Sequence, residues 1–168
     1  MLILQYYQVY FNMTIISLDG YCLCKRYIIR ECTVMYPNGN YEHFRFAPPS
    51  DFKPSDSDLQ SINYTKRYLS QIPYHDQSLL PYNTLESILT KLENDIVYCA
   101  GYNSYRFLKS KLPLTSVIDV KVEFEMEYPQ VLDKAPCGRQ HNSRYCSLAK
   151  AFYIKDYLNK VDGVPIFI

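Results

Sequence analysis

Cys137, His141 and Cys146 fall within ten residues, in Cys-Gly-Arg-Gln-His-Asn-Ser-Arg-Tyr-Cys. Thiolates and an imidazole are the ligands a tetrahedral zinc ion prefers. A loop running into a helix brings a Cys-x3-His-x4-Cys pattern onto one centre. Three ligands leave a fourth position, which another part of the chain or a water must fill. A closed four-ligand site is structural and contributes folding energy directly. The bland reading of the same residues is two core thiols and a surface histidine. Asp19 and Asp119, each at the end of a strand-like segment, are a second candidate pair, for Mg2+ or Mn2+. Strand-end carboxylates are also common as hydrogen-bonded structural groups.

The elements that must position these residues read as follows. Thr14–Asp19 is strand-like, and Gly20–Cys24 continues or turns it. Tyr27–Tyr36 is a second strand. Pro37-Asn-Gly39 signals a turn, and Tyr41–Phe46 alternates by twos as a third strand. Asp58–Ile72 has helical apolar spacing and ends at Pro73. Asn83 with Glu86 three residues on reads as a capping box for the next helix, whose apolar face is Leu85, Ile88, Leu89 and Leu92. Asp95–Cys99 is a strand, Asn103–Lys111 a short helix, Ser116–Val120 a strand, and Cys146–Leu158 a last helix. A meander followed by alternating helices and strands implies an α/β fold with a mixed five-stranded sheet and helices on both faces. Residues 1–13 read as an N-terminal extension, with Met13 an alternative start, and 14–168 as one domain.

Composition sets limits. The 168 residues suffice for one core. A net charge of +1 gives no global bias toward nucleic acid or membrane, so any nucleic-acid surface is a local patch. Lys66-Arg67-Tyr68 and Arg139 with Arg144-Tyr145 are such patches, able to track a phosphate backbone while rings stack on bases; their bland reading is a solvated helix face and a loop. The first residues have no basic region and no small-residue cleavage site. No apolar run approaches the ~20 residues of a membrane span. The six cysteines are therefore read as reduced, in a cytoplasmic or nuclear protein that is not secreted. Cys22, Cys24, Cys32 and Cys99 are expected in the core. His43 and His75 carry no ligand pattern.

From Thr14 to Leu158 the chain resembles the DEDDh group of 3′–5′ exonucleases, which are ribonuclease-H-like. The resemblance is carried by Ile28-Ile-Arg-Glu31, by Ile96 through Phe107-Leu108, by Val117-Ile-Asp119, and by His141-x4-Cys146 where the family has His-x4-Asp. The family's four carboxylates hold two metal ions. Here Asp19 is the sole acid of the first motif, with Ser17 and Tyr21 flanking it at alternate positions. The helix aspartate falls at about Ser104, and the last aspartate is Cys146. The Maelstrom domain is a relative with this exchange, acidic tetrad lost and a Glu-Cys-His-Cys zinc set gained. Glu31, Cys137, His141 and Cys146 match that set in order and type. The resemblance implies a structural zinc with Glu31 as fourth ligand. It implies a catalytically degenerate domain binding single-stranded RNA, a protein partner, or both, in RNA silencing. Two other classes stay open. One is an active metal-dependent 3′–5′ exonuclease or weak ribonuclease. The other is an interaction module without nucleic-acid affinity, whose cleft Tyr21 and Tyr102 would block.

Overall fold

The computed structural model describes residues 12–24, 26–69, 79–132, 137, 143–165 and 167–168. Three strands form an antiparallel meander: β1 (Met13–Cys22), β2 (Tyr27–Met35) and β3 (Tyr41–Arg45). The β2–β3 turn spans Pro37, Asn38 and Gly39. Gly39 has φ +84°, the left-handed region a three-residue hairpin loop requires at its end. Asn38 Oδ1 accepts the Asn40 N–H at 3.0 Å and holds the loop. This short turn sets the register, pairing Met35 with Tyr41, Thr33 with His43 and Glu31 with Arg45.

Helix α1 (Asp56–Tyr64) follows, then a wide turn over Thr65–Leu69, then α2 (Thr84–Thr90). Strand β4 (Ile96–Cys99), α3 (Tyr102–Lys111) and β5 (Ser116–Asp119) complete the sheet. A single turn, α4 (Val120–Glu123), precedes the last helix, α5 (Ser147–Leu158). The sheet order is β3-β2-β1-β4-β5, with β4 parallel to β1 and β5 parallel to β4. This is the expected α/β architecture, a mixed five-stranded sheet.

Strand alternation divides the core between the two faces. Ile16, Leu18, Cys32, Val34, Val97 and Cys99 pack against Leu85, Leu89 and Leu108 of α2 and α3. Ile15, Met35 and Tyr98 pack against Ile154 and Leu158 of α5. Each such side chain contributes about 1.5–3 kcal/mol by leaving water. A register shift between Asp19 and Gly20 kinks β1. A Cβ at Gly20 would lie 1.9 Å from the Ile28 carbonyl oxygen, so only glycine fits there.

The starts of α1 and α2 differ from expectation in how they are capped. Ser55 caps α1 in a capping box with Asp58, so the helix starts at Asp56 rather than Asp58. Asn83 makes no side-chain cap: its φ −65° and ψ −17° are already helical, which turns its side chain from the amides it would accept. Glu86 reaches Lys111 instead, at 3.6 Å. The end expected for the first helix, at Ile72, lies outside the described residues, as does His75. No helix among the described residues is long and apolar enough to cross a membrane.

Candidate metal centre

The β1–β2 register sets Ser17 beside Thr33 and Asp19 beside Glu31. These four polar residues are buried. The amino end of α5 descends onto them, with Cys146 at its cap position and Ser147 its first helical residue.

Glu31 is wholly buried on β2. Its Oε1 accepts the Ser147 backbone N–H at 3.0 Å and the Ser147 hydroxyl at 3.1 Å. A carboxylate at a helix amino terminus meets free N–H groups and the positive end of the helix dipole. His43 Nε2 lies 3.7 Å from Oε1, and Arg45 Nε lies 3.5 Å from Oε2. The Thr33 hydroxyl is 2.8 Å from His43 Nδ1 and 2.9 Å from the Ser147 hydroxyl, which closes the network. Arg45 also donates to the Cys137 carbonyl, at 3.5 Å.

Cys146 is buried in a small cluster with Leu132, Leu148 and Ala149, and the half-buried Cys137 packs against it. Burial, then the negative charge of Glu31, pushes the Cys146 thiol up to about 12; a hydrogen bond with Cys137 works in the same direction. The two thiols thus adjoin each other, and Cys146 feels the charge of the Glu31 carboxylate. Thiolate and carboxylate are donors zinc accepts, so the donor chemistry fits, although Ser147 and Arg45 already engage Glu31. Among the described residues no group of three His, Cys, Asp or Glu side chains is gathered closely enough to hold a metal ion. His141, the remaining member of the expected set, lies outside the described residues, and so does Arg139. Arg144 is exposed in a short turn over Ser143–Tyr145, just before α5.

Asp19 and Asp119 have different surroundings. Asp19 is buried, with Lys150 Nζ of α5 3.3 Å from its Oδ2. Its Oδ1 accepts the Gly20 N–H at 2.8 Å. Lys150 also donates to the Leu18 carbonyl at 3.0 Å. Burial raises the Asp19 carboxyl to about 6, with Lys150 opposing and Glu31 adding to the rise. Asp119 caps α4: its Oδ1 accepts the N–H of Gly101 at 2.9 Å and of Lys121 at 3.0 Å. Register aligns Asp119 with Cys99, whose side chain belongs to the α2–α3 core, whereas Asp19 aligns with Glu31 under α5. Ser104, on α3, is buried beside Tyr27, which it hydrogen-bonds.

Tyr21 is a core residue, packed with Leu23, Ile28 and Ile62 and lying 5.8 Å from the buried Arg30 guanidinium. Tyr102 is exposed, with Arg106 5.7 Å over its ring. All six cysteines are free thiols. Cys32 and Cys99 are buried as expected, but Cys22 and Cys24 are exposed. Cys22 ends β1, where Asn103 of α3 donates to its sulfur at 3.2 Å, and Cys24 lies in the turn beyond it, 3.8 Å from the Ser57 hydroxyl of α1. Four residues that the sequence reading left out belong to this site: His43, Arg45, Ser147 and Lys150. The hairpin turn carries a signal for the first two, since counting back from Pro37–Gly39 sets His43 and Arg45 against Thr33 and Glu31. The chain matches no protein-family model and none of the curated proteins compared with it.

Proposed function

We propose that this chain is a zinc-stabilised, catalytically degenerate exonuclease-fold domain, ribonuclease-H-like and of the Maelstrom type. Its role is to bind single-stranded RNA, a protein partner, or both, in RNA silencing. The observation that supports this reading is that Glu31 accepts the first amide of α5, while Cys146 at the cap of that helix adjoins Cys137. Glu31 is far in sequence from both cysteines, and Cys146 stands where the resembled exonucleases have their last aspartate. The sheet order β3-β2-β1-β4-β5, antiparallel then parallel, supports the ribonuclease-H-like assignment. Glu31, Cys137, His141 and Cys146 are the residues that would hold zinc. The ion would supply folding energy by joining α5 to β2.

Loss of catalysis is supported by what stands at the acidic positions. Ser17, Ser104 and Cys146 carry no carboxylate, and the one clear survivor, Asp19, is matched by the Lys150 ammonium. Two-metal phosphodiester hydrolysis needs concentrated negative charge, and here that charge is already neutralised by side chains. Arg144 is a basic group just before the amino end of α5, and Lys66 with Arg67 forms a second basic patch.

The test is metal content of the purified chain by elemental analysis, beside Cys137→Ser and Cys146→Ser. The expected result is one zinc per chain, lost in both variants, with thermal stability falling in parallel. Zinc content equal in all three, or no zinc in the wild type, would overturn the assignment. Magnesium- or manganese-dependent shortening of RNA from its 3′ end, abolished by Asp19→Ala, would favour the active exonuclease instead.

A further inference from the structure

Where α1 ends, the backbone widens into a turn with π-helical bonding over Thr65–Leu69. Such turns are rare and occur frequently at functional sites. This one carries Tyr68, and Tyr64 ends α1 just before it; the fold leaves both rings in water, Tyr64 58% exposed and Tyr68 56%. Their ring centroids are 5.2 Å apart with planes inclined at 47°. The Arg67 guanidinium sits 5.3 Å from the centre of the Tyr68 ring, and Lys66 and Arg67 are both exposed. Ile62 anchors the helix beneath, packed on Tyr21, Leu23 and Ile28. An i,i+4 ring pair supports a helix only weakly, which does not account for two large rings held at the surface.

Charge identifies the occupant. From Leu59 to Leu69 the chain has no carboxylate and two adjacent cations. The acids of α1, Asp56 and Asp58, are in its first turn. At 1.5 Å per residue Asp58 is about 12 Å along the axis from Lys66, beyond the ~8 Å over which exposed charges act at physiological salt. Two exposed rings, a planar cation against one of them and a second cation beside it form the combination that stacks bases while holding phosphates.

We propose that Tyr64, Tyr68 and Arg67 form a stacking platform for two or three successive bases of a single-stranded nucleic acid, with Lys66 and Arg67 on its phosphates. The proposal deepens the nucleic-acid reading given above and rests on it. Recognition of this kind is tolerant of base sequence, because every base presents a π-face.

The experiment is fluorescence anisotropy of a labelled oligouridylate with the full chain. Tyr64→Ala/Tyr68→Ala, Tyr64→Phe/Tyr68→Phe and Lys66→Ala/Arg67→Ala are compared with wild type. An abasic oligomer with the same number of phosphates is the second probe. Loss of both rings should weaken oligouridylate binding about 10-fold or more, while phenylalanine at both positions retains it. Binding of the abasic oligomer should be equal in wild type and the alanine ring variant. Removing both cations should reduce the slope of log affinity against log salt by roughly 1.4. Wild-type binding that the alanine ring variant leaves unchanged would overturn the platform but not RNA binding elsewhere. Absence of wild-type binding would overturn both. An equal loss on the abasic oligomer would assign the rings a structural role and overturn the stacking proposal.

Discussion

Replacing Ser147 by alanine tests the network that fixes Glu31 against α5. The hydroxyl donates at 3.1 Å to a carboxylate that is 0% exposed. A hydrogen bond to a charged group contributes about 1.5–3 kcal/mol. The carboxylate is not orphaned by the change, since the Ser147 backbone N–H stays at 3.0 Å and Arg45 and His43 stay at 3.5 and 3.7 Å. Thr33 loses its 2.9 Å contact with the hydroxyl but keeps His43 at 2.8 Å. The lower half of the range therefore applies, and the expected loss is about 2 kcal/mol. For a chain of this size that lowers Tm by about 4–8 °C. Urea unfolding followed by far-ultraviolet circular dichroism, with chelator and again with added zinc, gives the midpoint and slope. The same substitution in a Glu31→Gln background completes a double-mutant cycle, and a coupling of about 1 kcal/mol or more is expected. A Tm change under about 1 °C, or an equal loss in both backgrounds, would refute the claim that the hydroxyl acts through the carboxylate.

Two further outcomes follow from backbone and thiol positions. Gly20→Ala places a methyl 1.9 Å from a backbone carbonyl oxygen that has no flexible end to move, so it should cost about 3 kcal/mol or more and release the β1 kink; a thermal melt within 2 °C of wild type, by rough conversion under 1 kcal/mol, would sink that reading. Burial holds the Cys99 thiol up to about 12 from an ordinary 9.0. Above pH 9 the unfolded chain then releases a proton that the folded chain keeps, so stability falls as pH rises through that window. Cys99→Ala should remove about 2 kcal/mol of that fall between pH 9 and roughly 10.5. Parallel stability curves for wild type and variant would contradict it.

The element order was legible because hydrophobic periodicity is local, and it survives with most ends moved by one or two residues. The hairpin was legible because Pro-Asn-Gly has a specific backbone requirement that Gly39 meets. The Asn83 cap misled because a capping pattern fixes residue types without fixing backbone angles, and here Asn83 is itself helical. Cys22 and Cys24 misled because burial in a strand depends on what covers it. His43 and Arg45 were overlooked for a different reason. Each looks like an ordinary exposed residue of an edge strand until strand register is counted from the turn, and then both face Glu31. Lys150 was hidden by its length: a lysine on an amphipathic helix reads as solvated, yet its stem crosses to β1.

Those overlooked side chains set the charge balance around the buried carboxylates. Asp19 and Glu31 are directly paired on adjacent antiparallel strands, an arrangement in which like charges oppose folding. Nucleases that keep two carboxylates this close offset the repulsion with divalent ions. In this chain the offset is built from protein. Lys150 lies against Asp19, and Arg45, His43 and the amino end of α5 surround Glu31. Such a cation is covalently attached and does not exchange, so the contacts that make the buried pair tolerable are fixed in the fold. Cys146, with Cys137 packed against it, stands at the same helix terminus. Together these contacts fasten α5 to β1 and β2.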